Sequence, residues 1–142
     1  MKKIASILLI SFLTVGAFPA SAATKVTLTP QNKVSHTRPV ITIKLAGLPK
    51  DHGIYVQQCM MPKLNSAPTK CNPAESAKLW ISNAKADQAQ GAHTGNGKIS
   101  FHVDAYFKGG DCIHTTCVLF FTNDHNASAD RSEDQAVPFK FS

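Results

Sequence analysis

Cys59, Met60 and Met61 stand side by side in the stretch VQQCMMPKLNSAPTKC, twelve positions ahead of Cys71. A thiolate with two thioethers is a soft ligand set suited to Cu(I), provided that Cys59 is reduced. A second pair, Cys112 and Cys117, brackets His114, and a thiolate with an imidazole in reach is the machinery of nucleophilic catalysis. Both chemistries need a free thiol. The alternative for either pair is a covalent bridge, which leaves packing methionines and an ordinary histidine.

The compartment bears on that choice. The first 22 residues, MKKIASILLISFLTVGAFPASA, set two lysines before an apolar run that closes on Ala20-Ser21-Ala22. This is the layout of a secretory signal, with cleavage expected after Ala22. Gly16 and Pro19 interrupt the run and no basic flank follows it, which argues against a membrane span. No cysteine follows the cleavage point to take a lipid, and the terminal AVPFKFS adds no hydrophobic tail. A freely secreted protein, extracellular or periplasmic, is expected, with residues 1–22 as signal and 23–142 as one domain. Export and an even cysteine count favour disulfides. Four cysteines allow three pairings. Proximity favours Cys59–Cys71 and Cys112–Cys117, which chain entropy values at about 3 and about 2 kcal/mol.

Other chemistries find less support. The chain carries a net charge of +6, and loss of Lys2 and Lys3 with the signal leaves +4. Arg38 and Arg131 are the only arginines, and in the exported part no two basic residues are adjacent. A groove for nucleic acid usually shows clustered cations with stacking aromatics between them, so direct DNA contact is not expected. In DHNASADRSEDQ, Asp124, Asn126, Ser128 and Asp130 alternate as in a calcium loop, but Ala129 replaces the sixth-position glycine and Gln135 the closing glutamate. A polar connection between strands is the better reading. The six histidines show no ligand spacing, and Asn126-Ala-Ser128 is a glycosylation sequon. There is no serine elbow, paired-carboxylate motif or Gly-rich phosphate loop. The sequence predicts neither an enzyme nor a metal site.

The elements that would position any site are strands. Apolar residues recur with period two in KVTLTP (Val26, Leu28), VITIKLAG (Ile41, Ile43, Leu45), GIYVQQC (Ile54, Val56) and KISFHVDA (Ile99, Phe101, Val103). TCVLFFTN and AVPFKFS follow the same rule, the latter with Val137, Phe139 and Phe141 on one side. KLWIS is short and ambiguous. Turn formers separate the segments: GLPKDHG, NSAPTKCNPA, GAHTGNG, FKGGDC and NDHNASAD. AKADQAQGA lacks apolar anchors and reads as a loop. Seven short strands predict an all-β fold, an immunoglobulin-like seven-stranded antiparallel β-sandwich with two local disulfides.

One strand carries apolar groups on both faces. In CVLFFT, Leu119 and Phe121 share parity with Cys117, and Val118, Phe120 and Thr122 share the other. If the first set faces the core, the second lies outside, where it can neighbour Tyr55, Gln57 and Cys59. That outer face, with Met61 nearby, is either an exposed binding patch or a second small core under the loop KLNSAPTK.

The segments GLPKDHGIYVQQC, CNPA, DCIHTTCVLFFTN and VPFKFS resemble the neocarzinostatin, macromomycin and actinoxanthin apoproteins over essentially the whole exported chain. The most specific marks are Gln58-Cys59, the run Cys71-Asn72-Pro73-Ala74, and Asp111-Cys112 with Cys117 five positions on. The resemblance implies the same sandwich, the two local disulfides, and a secreted, non-enzymatic carrier that protects a reactive enediyne chromophore. Such proteins release the chromophore to cut DNA, as an antibacterial toxin. It also implies that the Cys59–Cys71 staple borders the cleft. Gln57 and Phe120 stand where the family has glycines that make room for the ligand. Two aromatic cleft contacts fall at Met61 and Ser76, the loop before the second disulfide is shortened to AYFKGG, and the family is commonly acidic. No cofactor is expected beyond a non-covalent chromophore. The expected product is a monomer that holds a small apolar, aromatic ligand across Tyr55, Gln57, Met61, Phe120 and Thr122. The alternative is a secreted immunoglobulin-like interaction module that engages a cell-envelope partner and stores no ligand.

Overall fold

The computed structural model describes residues 24–142; the expected signal, residues 1–22, lies outside them. The strands are β1 (Lys25–Thr29), β2 (Val40–Ala46), β3 (Ile54–Met60), β4 (Lys78–Ile81), β5 (Ile99–His102), β6 (Tyr106–Phe107), β7 (Gly110–Asp111), β8 (Cys117–Asn123) and β9 (Gln135–Phe139). They form a three-stranded sheet in the order β1-β2-β5, a four-stranded sheet in the order β4-β3-β8-β9, and the separate hairpin β6-β7. Every ladder is antiparallel. Among the described residues no helix is long and apolar enough to cross a membrane.

The alternation explains the packing. Leu28, Ile41, Ile43, Ile99 and Phe101 of the smaller sheet are buried in one cluster with Ile54, Val56, Ile81, Leu119, Phe121 and Phe139 of the larger. Burying each such side chain contributes roughly 1.5–3 kcal/mol. His102 and Lys44 point outward, as their parity predicts. KLWIS resolves as β4, paired so that Ile54 faces Ile81 and Tyr55 faces Trp80.

Two segments read as loops turn out ordered. Lys85–Gln88 of AKADQAQGA makes one α-helical turn, α1. Its anchor is polar, which is why an apolar search passes over it: buried Asp87 accepts a hydrogen bond from Ser82 Oγ at 2.6 Å. AYFKGGDC folds as the β6-β7 hairpin, turning at Gly109, whose φ of 88° favours glycine.

The edges of the larger sheet are covered. Beyond β9, Gln31 Nε2 donates to the Pro138 carbonyl at 3.1 Å and Val34 N to the Lys140 carbonyl at 2.9 Å. Beyond β4, His93 N donates to the Trp80 carbonyl at 2.8 Å and Ser82 N to the His93 carbonyl at 2.9 Å.

Candidate functional site

On the face of the β4-β3-β8-β9 sheet turned away from the core, strand register sets which side chains meet. Tyr55 lies opposite Trp80 on one side and Thr122 on the other. Gln57 lies between Lys78 and Phe120, and Phe120 faces Ala136 of β9. Directly opposed side chains in an antiparallel ladder sit within contact range. Leu119 and Phe121 are fully buried on the opposite face, so Phe120 and Thr122 fall outside, half-buried.

This face holds two concavities. One, of about 510 Å³, is lined by Tyr55, Gln57, Lys78, Trp80, Phe120 and Thr122. The other, of about 570 Å³, is lined by Met61, Leu64, Phe120, Arg131, Asp134 and Ala136, among others. Phe120 borders both. The structure therefore brings Tyr55, Gln57, Phe120 and Thr122 into one concavity and sets Met61 in the neighbouring one, across Phe120. The loop KLNSAPTK does not bury the face: Leu64 is 92% exposed and Met61 46%.

Several of the polar groups lining the face are engaged. Gln57 Nε2 donates to the Asn72 carbonyl at 2.9 Å, which ties its amide toward the Cys71 loop. Thr122 Oγ1 donates to Asp134 Oδ1 at 2.8 Å, and Asp134 pairs with Arg131. Trp80 Nε1 donates to Asp124 Oδ2 at 2.9 Å. The Trp80 and His125 rings meet edge-on, with centroids 5.0 Å apart. Burial pushes the Tyr55 phenol above its ordinary value, and the charge of Asp124 pushes the same way. The Tyr55 hydroxyl and His125 Nδ1 share a hydrogen bond at 2.7 Å.

Asp124 is the pivot of this corner and is fully buried. Burial alone would raise its carboxyl. Donation from Trp80, from Asn126 N and from Gly53 N outweighs burial and holds it below the usual carboxylate range. The calcium-like spacing around Asp124 thus belongs to a structural carboxylate whose oxygens face N–H donors, while Asp130 turns onto Ser132. Gly53 permits the approach, since a Cβ there would come within 2.8 Å of Asp124 Oδ2 and 2.6 Å of the Ile81 carbonyl. Trp80, Asp124 and His125 escaped the sequence reading as a unit because their meeting depends on strand register.

Both local disulfides are formed, Cys59–Cys71 and Cys112–Cys117. The first crosses a short antiparallel bridge flanked by Met60 N to the Lys70 carbonyl and Asn72 N to the Gln58 carbonyl. Buried Gln58 and Asn72 extend it: Asn72 Nδ2 donates to Gln58 Oε1 at 2.9 Å and to Asp104 Oδ2 at 2.7 Å. With its sulfur bridged, Cys59 offers no thiolate beside the methionines, and Met60 Sδ lies 3.7 Å from Cys117 Sγ. His114 pairs with Asp111 at 2.8 Å, with both flanking sulfurs bridged. Among the described residues no group of three or more His, Cys, Asp or Glu side chains converges to hold a metal ion.

No family model, curated protein or solved structure matches the chain.

Proposed function

We propose that this chain is a secreted, non-enzymatic binding protein with an immunoglobulin-like seven-stranded β-sandwich of the neocarzinostatin type, holding a small apolar, aromatic ligand on the outer face of its larger sheet. One observation carries the reading: Tyr55, Trp80 and Phe120, from three strands, line a single open concavity of about 510 Å³. That volume lies within the range of small-molecule sites, and aromatic walls favour flat, apolar guests. The hydroxyl of Thr122 and the amide nitrogen of Gln57 are held by protein partners, so they set the shape of the wall more than they demand a polar ligand. The two disulfides suit an oxidising compartment. In this reading any action on DNA belongs to the ligand.

Trp80 is the only tryptophan, so the site reports its own occupancy. Titration with anilinonaphthalene sulfonate, an aromatic probe, should quench or shift Trp80 emission, and Phe120→Asp should abolish the effect. Probe binding unchanged by that substitution would refute the placement. A second reading, an interaction module without a stored ligand, draws on exposed Leu64 and Met61 at the rim. Native mass spectrometry of the secreted protein separates the two: a bound small molecule supports the carrier, an empty protein recovered with a macromolecule the module.

A further inference from the structure

The connection from His93 to β5 contains Asn96-Gly97, the only Asn-Gly pair in the sequence. Its first half is pinned. Gly95 N donates to Asn83 Oδ1 at 3.0 Å, and a Cβ on Gly95 would collide with Leu48. The second half is open: Asn96, Gly97 and Lys98 are exposed. Gly97 takes a φ of 88°, a conformation that favours glycine, and an added Cβ there would meet nothing within 4 Å. Among the described residues the Gly97 amide donates to no backbone partner.

Asparagine is among the thermolabile residues, because the next backbone nitrogen can close a five-membered ring on its amide carbon. Ring closure needs that nitrogen free of a hydrogen bond and its residue small. The other asparagines fail one condition or the other. Ser66 N donates to the Lys63 carbonyl at 3.1 Å and Ala84 N to Ser82 Oγ at 3.1 Å. Asp124 N donates to the Gly53 carbonyl at 3.0 Å and Ala127 N to the Asp124 carbonyl at 3.1 Å. Those four amides follow Asn65, Asn83, Asn123 and Asn126. Pro73, after Asn72, has no N–H, and Lys33, after Asn32, carries a bulky side chain.

We infer that Asn96 is a site of spontaneous covalent modification, converting to aspartate and isoaspartate through a succinimide ring with Gly97. A base from the solvent takes the Gly97 amide proton, and the nitrogen attacks Asn96 Cγ. The N–Cγ bond forms, the Cγ–Nδ2 bond breaks, and ammonia leaves with a proton from the solvent. Water then opens the ring. Addition at Cγ breaks the new N–Cγ bond and gives aspartate. Addition at the main-chain carbonyl carbon breaks the original peptide bond and gives isoaspartate, whose backbone runs through Cβ and Cγ. Water is the one reactant consumed. Either product adds a negative charge to a chain of net charge +6, and isoaspartate lengthens the connection into β5 by one carbon. The site is independent of the ligand groove.

The experiment incubates the folded protein in warm, mildly alkaline buffer and follows it by ion exchange and tryptic peptide mapping. The expected result is a growing acidic form, shifted by a single negative charge and heavier by the difference between water and ammonia. The map should place the change in the peptide Ala86–Lys98, whose only asparagine is Asn96, as two isomers of equal mass. Asn96→Ser should abolish the acidic form. An acidic form that maps to another asparagine would overturn the inference, as would aspartate without its isomer. So would wild-type protein left unchanged while a free peptide of the Ala86–Lys98 sequence converts. If Asn96→Ser does not fold, the wild-type map decides alone.

Discussion

Gln57 and Phe120 face each other across the β3-β8 ladder. Phe120 is the wall shared by two concavities, whereas Gln57 is drawn aside by the Asn72 carbonyl. Of the two, Phe120 is the one whose removal changes the shape of the surface.

Phe120→Ala should join the two concavities. Losing the ring's contact costs about 1 kcal/mol, so a probe that fits the Tyr55 side should bind several-fold more weakly, while a bulkier aromatic probe gains. Parallel fluorescence titrations on Trp80 with the two probes check this, and equal losses for both would remove Phe120 as the partition.

Asp124 should dominate the acid limb of stability. Its folded pKa lies below the unfolded value of about 3.9. The stabilisation is therefore present above that pH and is lost as pH falls through the folded value. Asp124→Asn should cost about 1.5–3 kcal/mol at neutral pH, the range for hydrogen bonds to a charged group, and flatten the decline below pH ~4. Urea unfolding of both proteins at a series of pH values measures it.

Gly53→Ala should destabilise by about 1–3 kcal/mol through overpacking, because the added methyl meets the Ile81 carbonyl and Asp124 at once. Thermal melts give the loss, and a red-shifted Trp80 emission would show that the Asp124 corner has opened.

The two disulfides should differ in consequence as well as in size. Replacing Cys59 and Cys71 by serine should cost about 3 kcal/mol and weaken probe binding, since that bridge anchors the loop bearing Met61 and Leu64. Replacing Cys112 and Cys117 should cost about 2 kcal/mol and leave binding intact. Denaturant unfolding and the Trp80 titration read the two effects, and thiol counting on denatured, unreduced wild-type protein should return none.

Where side chains alternate, the sequence was a sufficient guide: KISFHVDA placed Ile99, Phe101 and Val103 inward, and all three are buried. The outer face was legible only in part: parity separates Phe120 from Phe121, but Val118 and Cys59, of the outer parity, are fully buried. What parity cannot give is which strand lies alongside and in what register. Trp80 became part of the groove only through its pairing with Tyr55, and Met61, one residue past the end of β3, lines the concavity on the far side of Phe120. The polar anchors were hidden for another reason: Asp87 and Asp124 are buried through specific donors, and composition treats a buried and an exposed aspartate alike.

The covered margins of the larger sheet matter for how the protein behaves at high concentration. Residues 31–34 and the imino acid at Pro138 guard one margin, and the backbone of His93 the other. Neither flank of this sheet presents a free row of amides on which a neighbouring molecule could template fibril growth, so crowding should not stack the groove-bearing sheets edge to edge.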